Sequence, residues 1–257
     1  MKDAENFFLL LNCLCLFCLL FPMTRKLRIL IIEDETAIRT GLIDVFVYHG
    51  YEVDFSGHGV EGLNKALTGK FDLILLDVML PGLNGFEICN RIREKDRGQA
   101  IIMLTAKSND EDIIEGLSLG ADDYVAKPFS VAQLVLRVQA VLRRTRNELK
   151  QNQWIQLGNN LKIDCQNLTG RRGVENLSFT RREIEILQYL QSNSQRPVSR
   201  EELLNKVWGY ANHLNIETRT VDIHIAKLRR KIEANPAEPQ FLVTVRSAGY
   251  RLTGQSQ

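Results

Sequence analysis

Several carboxylates and one lysine follow apolar runs in the N-terminal half of this 257-residue chain, and together they could handle a phosphoryl group. Asp77 ends one apolar run, and Glu33 and Asp34 end another. Thr105 and Lys127 follow two later runs. A carboxylate can attack a phosphoryl group to form an acyl phosphate, and carboxylates at this density need a hard cation that recruits phosphate. The sequence therefore predicts a phosphorylatable aspartate beside bound Mg²⁺.

The acidic residues divide into a nucleophile and metal ligands. Asp77 is predicted to be the nucleophile, and Asp34 and Asp77 are predicted to bind Mg²⁺ directly. Glu33 would act through a water molecule, and the main-chain carbonyl of Met79 would complete the protein ligands. Mg²⁺ commonly keeps several waters and takes few carboxylates, so this donor set is sufficient.

Lys127 and Thr105 are predicted to contact the phosphoryl oxygens. The lysine would place a cation against them, and the threonine hydroxyl would donate a hydrogen bond to one of them. Taken alone, Thr105 is more often a turn hydroxyl and Lys127 a solvated charge. The specificity lies in finding all these groups at four strand ends of one sheet.

The elements that must position these groups alternate, strand then helix, five times between residues 28 and 144. Such alternation predicts a parallel sheet with helices on both faces, and ligands bind at the carboxyl edge of such sheets. The predicted strands are 27–32, 51–55, 72–76, 100–104 and 123–125, and the predicted helices are about 36–48, 58–67, 84–95, 110–119 and 130–144.

The C-terminal half predicts short strands, three helices and a terminal hairpin, which together describe a winged helix-turn-helix. Two helices open on sequences typical of capping boxes, at 180–183 and 199–202. The predicted strands lie around 154–157, 161–163 and 177–179, the third helix at 218–233, and the hairpin at 241–252.

The charge differs between the two halves. Residues 23–142 carry 13 basic and 18 acidic side chains, and residues 151–257 carry 15 basic and 10 acidic ones. An acidic half joined to a basic half predicts a metal and phosphate module coupled to a polyanion binder.

The first 22 residues differ from the rest of the chain in composition. Phe7 to Phe21 is almost wholly apolar, but it is shorter than the ~20 residues of a membrane span. We expect translation to begin at Met23, and a membrane anchor is the alternative. Cys89 and Cys165 do not form a disulfide framework, so a reducing, cytoplasmic location is expected.

The third C-terminal helix is basic and amphipathic, which favours insertion into a major groove of DNA. Arg246, near the tip of the following hairpin, could reach the adjacent minor groove. Val221, Ile225, Leu228 and Ile232 are predicted to face the domain core, and Arg219, Ile223, Ala226, Lys227 and Arg230 to project elsewhere.

The N-terminal motifs resemble the receiver domain of bacterial response regulators, and the C-terminal half resembles the winged-helix effector of the OmpR/PhoB type. The likeness rests on segments 31–35, 75–82, 104–106 and 120–129 and covers about Leu27 to Leu252. It implies an extension at 1–22, a flavodoxin-like receiver with five parallel strands at 23–144, a linker at 145–153 and an α+β winged-helix domain at 154–257.

The resemblance implies that Asp77 accepts phosphate from a sensor histidine kinase. Thr105 and Tyr124 would form the switch pair, with Thr105 moving to the phosphoryl group and Tyr124 turning inward behind it. The Lys127-Pro128 bond would be cis. The protein would be a transcriptional regulator and not an enzyme, apart from its own phosphotransfer and slow dephosphorylation.

Phosphorylated receivers of this family pair through the face made by their fourth and fifth helices and fifth strand, which would place two effectors on tandem DNA half-sites. Asp122, Asp123 and Arg137 retain parts of the charge pattern of that face, whereas Gln133 stands where the family often has glutamate.

The resemblance also implies contacts with double-stranded DNA. Residues 207–217 correspond to a segment that often contacts RNA polymerase in this family, and Trp208 belongs either to that surface or to the core. The implied DNA contacts are Arg219, His224, Lys227 and Arg229 on the helix, with Thr244 and Arg246 on the wing.

Two other functions are alternatives to a DNA-binding response regulator. A phosphohydrolase of the haloacid dehalogenase type needs a second aspartate two residues after the nucleophile, where this chain has Met79. Because Met79 cannot orient an attacking water, slow self-dephosphorylation is expected. A receiver joined to a protein- or RNA-binding effector is the second alternative.

Overall fold

The computed structural model describes residues 25–105, 116–146, 153–210 and 218–254. The predicted extension at 1–22, most of the predicted linker at 145–153, the first part of the predicted helix at 110–119 and the loop 211–217 lie outside the described residues. In the described part of the chain, each helix is too short or too polar to cross a bilayer.

The N-terminal domain is built on a parallel sheet of five strands. These are β1 (Arg28–Ile32), β2 (Glu52–Ser56), β3 (Leu73–Asp77), β4 (Ala100–Thr105) and β5 (Asp123–Ala126). Their spatial order is β2-β1-β3-β4-β5. Every residue of β3 and β4 is buried, because helices cover both faces of the sheet, and this explains their continuous apolar runs. The predicted strands are confirmed within one residue at each end.

Five helices cover this sheet. They are α1 (Thr36–Tyr48), α2 (Gly59–Ala66), α3 (Gly85–Lys95), α4 (described over 116–119) and α5 (Val131–Arg146). Buried side chains of α1 and α5 form one apolar cluster with the sheet, and those of α2, α3 and α4 form a second cluster on the other face. The predicted layers are therefore confirmed.

Helix α3 begins against the end of β3. A Cβ added to Gly85 would lie 2.2 Å from the main-chain oxygen of Asp77, so only glycine allows this approach. Asn84 caps the helix by accepting a hydrogen bond from the N–H of Glu87, whose side chain returns to the N–H of Asn84. This local sequence places the start of α3 directly behind Asp77.

The C-terminal domain combines an antiparallel sheet, helices and a hairpin. The sheet contains β6 (Trp154–Leu157), β7 (Leu161–Asp164), β8 (Thr169–Arg172) and β9 (Glu175–Ser178). The helices are α6 (Arg181–Ser192), α7 (Arg200–Leu203), which continues as a π-helical turn (Leu204–Trp208), and α8 (Arg219–Ile232). The hairpin pairs β10 (Leu242–Val245) with β11 (Gly249–Leu252).

Two local features of this domain differ from the sequence prediction. The hairpin of β8 and β9 was not predicted as such, because its residues are mostly polar and exposed and do not alternate with an apolar face. The second predicted capping box is only half formed. Ser199 accepts a hydrogen bond from the N–H of Glu202, but the Glu202 carboxylate contacts Arg196 and Tyr189 instead.

Candidate phosphorylation site and DNA interface

Three strand ends bring an acidic pocket together around one lysine. Glu33 follows β1, Asp77 ends β3, and Lys127 follows β5. The Lys127 Nζ lies 2.8 Å from Asp77 Oδ2 and 2.7 Å from Glu33 Oε2. Both carboxylates are buried, so the ammonium group is their main charge partner in the described structure.

The same pocket fits a magnesium ion. Ligand oxygens of Glu33, Asp34 and Asp77 lie within 4.8 Å of one another, and Asp34 is exposed on the open side. The N–H of Met79 is 3.3 Å from Asp77 Oδ1, so the main chain of Met79 passes beside the nucleophile. Hard oxygen donors of this kind suit Mg²⁺, and the structure brings together the predicted ligands.

Burial controls the electrostatics of the pocket. It raises the pKa of Glu33 from 4.5 to about 7; the Lys127 hydrogen bond opposes the shift, and the charge of Asp77 adds to it. Burial also acts to lower the pKa of Lys127, but hydrogen bonds and charges from Asp77 and Glu33 outweigh it and raise that pKa. The pocket thus holds more negative charge than one lysine neutralises.

The predicted switch residues lie on the two adjacent strands β4 and β5. Thr105 ends β4 and is fully buried, and Tyr124 is only 7% exposed. The Tyr124 ring lies close to α4: its Cδ2 atom is 3.4 Å from the position that a Cβ on Gly116 would take. The predicted cis bond between Lys127 and Pro128 is present.

The wing is held against the predicted DNA-reading helix. Arg229 Nε donates to the Leu242 carbonyl at 2.8 Å, and Arg229 Nη2 donates to Thr244 Oγ1 at 2.7 Å. Thr244 and Arg246 on the wing are exposed, and so is Arg219 on the helix. These predicted DNA contacts therefore form one surface, with Arg229 joining its two parts.

A second set of contacts fixes α8 relative to the preceding helix. Arg200 Nε donates to Asp222 Oδ1 at 2.7 Å, and Arg200 Nη2 donates to the Tyr250 hydroxyl at 2.9 Å. The Tyr250 hydroxyl in turn donates to Asp222 Oδ1 at 2.5 Å. Side-chain hydrogen bonds thus link the start of α7, α8 and the wing to one another.

One side of α8 is covered by the N-terminal domain. Ile223, expected to project away from the core, is buried in the apolar cluster formed by α2, α3 and α4. His224 is 1% exposed, and the Lys227 side chain is 11% exposed. These two predicted DNA contacts are therefore largely buried, His224 against Trp208 and Lys227 beside Glu183 of the same domain.

Trp208 and Tyr210 belong to the same junction between the domains. Trp208 Nε1 donates to the Asp122 carbonyl at 3.0 Å, and the Tyr210 hydroxyl donates to the Asp123 carboxylate. Arg137 Nη1 also donates to Asp123 at 2.6 Å, and its guanidinium lies 5.0 Å from the centre of the Tyr210 ring. Trp208, left open between core and surface, is fully buried.

Two arginines at this junction were missed from the sequence. Arg93 Nη2 contacts Asp122 Oδ2 at 3.1 Å, and Arg182 lies 5.0 Å from the centre of the Trp208 ring. Both side chains are buried. Arginines on amphipathic helices normally face water, so no signal in the sequence identifies them.

The comparisons with known proteins cover both domains. Residues 29–139 match the family described as the response regulator receiver domain. Residues 174–252 match the family described as the C-terminal domain of transcriptional regulatory proteins. The chain is a response regulator of the OmpR/PhoB type.

Relatives and solved structures agree with this assignment. The probable transcriptional regulator ycf27 of Guillardia theta is 40% identical over 245 residues, which cover 93% of this chain and 96% of the relative. The response regulator ArlR of Staphylococcus haemolyticus is 40% identical over 87% of this chain and 98% of its own. A solved RitR mutant aligns with a TM-score of 0.68 and 30% identity, over 89% of this chain and 99% of that one.

The response regulator thus joins a receiver to a DNA-binding effector domain, and it regulates transcription within a two-component system. The predicted fold class and function are confirmed. Its family is one of regulators and not of metabolic enzymes, as predicted. Receivers of this family typically bind Mg²⁺ in an acidic pocket, and this chain has an acidic cluster at the corresponding edge of its sheet.

Proposed function

We propose that Asp77 accepts the phosphoryl group and that its phosphorylation releases the DNA-reading helix from the receiver. The observation that carries this proposal is the position of Asp77 at the end of β3, buried and 2.8 Å from the Lys127 ammonium group. A carboxylate held in this way is oriented toward the open side of the pocket, where a phosphodonor can approach.

Glu33, Asp34, Asp77 and the carbonyl of Met79 would hold Mg²⁺. When bound, the ion shields the negative charge of the incoming phosphoryl group. An Asp77 carboxylate oxygen forms the new bond to phosphorus, and the bond to the donor's leaving group breaks with its electron pair. Lys127 can then contact a phosphoryl oxygen, and the Thr105 hydroxyl can donate to another.

The link from the pocket to the effector runs along β4 and β5. Thr105 and Tyr124 are the proposed switch pair, and Asp123, next to Tyr124, accepts hydrogen bonds from Arg137 and from Tyr210 of the effector. A shift of β5 therefore acts on a hydrogen bond between the domains. In two-state terms, phosphorylation favours the arrangement in which this junction is open.

The same face is proposed to pair two phosphorylated receivers. Asp122, Asp123 and Arg137 are the predicted pairing residues, and Asp122 and Asp123 contact Trp208 and Tyr210 in the closed chain. Because one surface cannot hold both partners, receiver pairing requires release of the effector. Two released effectors then bind tandem half-sites of double-stranded DNA.

The remaining partners follow from this arrangement. A sensor histidine kinase is the proposed phosphodonor, and the segment from Trp208 onward, once released, is available to RNA polymerase. A cytoplasmic location is part of the proposal, because the kinase's phosphodonor side and the DNA are found there. The proposed domain boundaries are 23–144 for the receiver, 145–153 for the linker and 154–257 for the effector.

Labelling by acetyl phosphate with Mg²⁺ tests the proposal. The full chain should gain an acid-stable, base-labile label and bind its own promoter DNA more tightly, as measured by mobility shift. Asp77→Asn should abolish both effects while leaving basal binding intact. Asp44→Asn, an exposed aspartate of α1, is the matched control. Equal promotion of DNA binding by acetyl phosphate in Asp77→Asn would refute the proposal.

A further inference from the structure

We propose that Arg39 is a positioning residue for the magnesium site, which holds the Glu33–Asp34 segment in the geometry that metal binding needs. This inference rests on the proposed function. Arg39 lies in the first turns of α1, beside the acidic pocket, but it was not among the predicted site residues.

The guanidinium group joins two consecutive carbonyls of the ligand segment. Arg39 Nη1 donates to the Glu33 carbonyl at 2.7 Å and to the Asp34 carbonyl at 2.9 Å. Arg39 Nη2 donates to Thr36 Oγ1 at 3.2 Å, which orients the planar group from its other side. One side chain therefore fixes the backbone on which both metal-ligand carboxylates are carried.

Besides Arg39, the Glu33 end of the ligand segment is held by its N–H, which donates to the Ser56 carbonyl at 3.0 Å, and by Lys127. The Asp34 end has less support. Within the described residues, the exposed Asp34 carboxylate makes no hydrogen bond or ion pair, and the side chain of Glu35, which precedes α1, does not cap the helix. A metal that binds Asp34 must therefore order it from a mobile set of rotamers. A backbone already fixed by Arg39 reduces that entropic loss and so favours binding.

The end of β2 forms a seat for the guanidinium group. The Arg39 Cζ atom lies 5.8 Å from the centre of the Phe55 ring, which provides a cation–π contact. A Cβ added to Gly57 would lie 3.1 Å from Arg39 Nη1 and 3.8 Å from the Glu33 carbonyl oxygen. The absence of a side chain at Gly57 thus makes room for the contact between Arg39 and Glu33.

The positive charge of Arg39 and its hydrogen bonds to the two carbonyls have opposite effects on Mg²⁺ affinity. A cation beside the pocket repels Mg²⁺, so loss of charge alone would strengthen metal binding. Loss of the two carbonyl contacts would weaken it. The sign of the change in Mg²⁺ affinity therefore separates a positioning role from a purely electrostatic one.

Calorimetric titration of the full chain with Mg²⁺ alone provides the test. Arg39→Met should weaken the affinity by about tenfold, as is typical when an outer partner of a ligand is removed. Arg39→Lys keeps the charge but has no second nitrogen to donate to Thr36 and orient the group, so it should recover only part of the affinity. Gly57→Ala keeps Arg39 and displaces it, and a loss of about threefold is expected.

A second glycine-to-alanine variant controls for the general effect of adding a methyl group to this domain. Gly41→Ala lies on the same helix, where an added Cβ would meet nothing within 4 Å, and its Mg²⁺ affinity should equal that of the original chain. Saturating Mg²⁺ should restore the acetyl phosphate labelling rate of Arg39→Met, which a general folding defect would not allow.

The outcomes separate the two proposals. Tighter or unchanged Mg²⁺ binding in Arg39→Met and Gly57→Ala, with loss in Asp34→Asn, would overturn the positioning role and leave the proposed function standing. If the original chain binds no Mg²⁺ and takes up no phosphate, the proposed function itself fails.

Discussion

The acidic pocket and the DNA-reading helix are both built from residues predicted in the sequence, yet they differ in access. In the pocket, Lys127 lies 2.8 Å from Asp77, and ligand oxygens of Glu33, Asp34 and Asp77 lie within 4.8 Å of one another. On α8, Ile223 is buried against the receiver, whereas His224 packs on Trp208 and Lys227 pairs with Glu183 of the effector domain. The pocket is therefore assembled within one domain, whereas part of α8 is covered by the other domain.

The two regions differ because the pocket forms within one domain, whereas the burial of α8 involves both domains. Parallel strands of one sheet end at one edge, so the topology alone brings Glu33, Asp77 and Lys127 together. The burial of α8 depends on contacts between domains, such as Trp208 with Asp122. Contacts between domains of one chain are commonly weak enough to be reversible, so they are suited to regulation.

The largest expected effect on phosphorylation and stability is that of Lys127→Met, which removes the cation at the centre of the pocket. The variant leaves two buried carboxylates without their cation, which costs roughly 3–5 kcal/mol of folding free energy. The acetyl phosphate labelling rate should fall by about a hundredfold or more. Thermal melting should show a lower Tm that Mg²⁺ partly restores, because the ion replaces the missing charge.

Lys65→Met is the control for this change. Lys65 forms ion pairs with Asp54 and Glu61 on the receiver surface, and such pairs contribute only about 0–1 kcal/mol. Its labelling rate should match that of the original chain. A normal labelling rate in Lys127→Met would show that the pocket does not depend on this lysine.

A smaller effect is expected when the junction is weakened by Tyr210→Phe. The variant removes a hydrogen bond to a buried carboxylate, worth about 1.5–3 kcal/mol. Unphosphorylated chains should open more often and bind promoter DNA roughly tenfold more tightly in mobility-shift titrations. Tyr48→Phe, at a side chain 87% exposed on α1, should bind as the original chain does. Unchanged basal affinity in Tyr210→Phe would argue against autoinhibition by this contact.

The junction should also respond to pH through His224. Burial, with the charges of Lys227, Arg182 and Lys231, holds the pKa of His224 well below its usual value of 6.5, and neither ring nitrogen has a hydrogen-bond partner within the described residues. Where opening of the junction exposes His224 to water, its neutral form favours the closed arrangement above pH 6.5, and this contribution is lost as the pH falls below that value. Each pH unit below 6.5 then shifts the balance toward opening by up to about tenfold.

Tryptophan fluorescence measures this pH effect, because Trp208 is buried at the junction in ring contact with His224. The emission should shift to the red between pH 7.5 and pH 5.5 without DNA. His224→Gln removes the titrating group and should give the same spectrum at both values. A red shift retained in His224→Gln would assign the acid response to another group.

The smallest effect is expected on the accessible side of the DNA-reading surface. Arg246→Ala removes one exposed wing cation, so affinity should fall a few-fold for phosphorylated and unphosphorylated chains alike. The slope of log affinity against log salt should decrease by about 0.9, the contribution of one phosphate contact. A change seen only after phosphorylation would mean that the wing, too, is covered in the closed chain.

Much of the fold could be predicted because it is encoded locally. Continuous apolar runs identified β3 and β4, and polar residues at the strand ends identified the pocket. The capping box of Thr180 and Glu183 located the start of α6 correctly. The β8–β9 hairpin was missed because its strands lack an apolar face.

The junction could not be predicted, because it depends on which surfaces meet. Ile223 lies off the apolar stripe of its helix, so the helical pattern does not indicate that it is buried. In the sequence, Arg182 stands out only as part of a capping motif. Arg39 was missed for a related reason, since its contacts are to main-chain carbonyls, which every sequence carries. Contacts of this kind leave no pattern in the residue types.

The shared use of Asp123 has a consequence for how much of the protein a cell must make. The effector competes for this carboxylate as a tethered neighbour, so its local concentration is the same at any expression level. In the proposed mechanism, a second receiver competes from free solution, and its concentration rises with copy number. We therefore expect opening of phosphorylated chains, and with it the transcriptional output, to increase with the abundance of the protein.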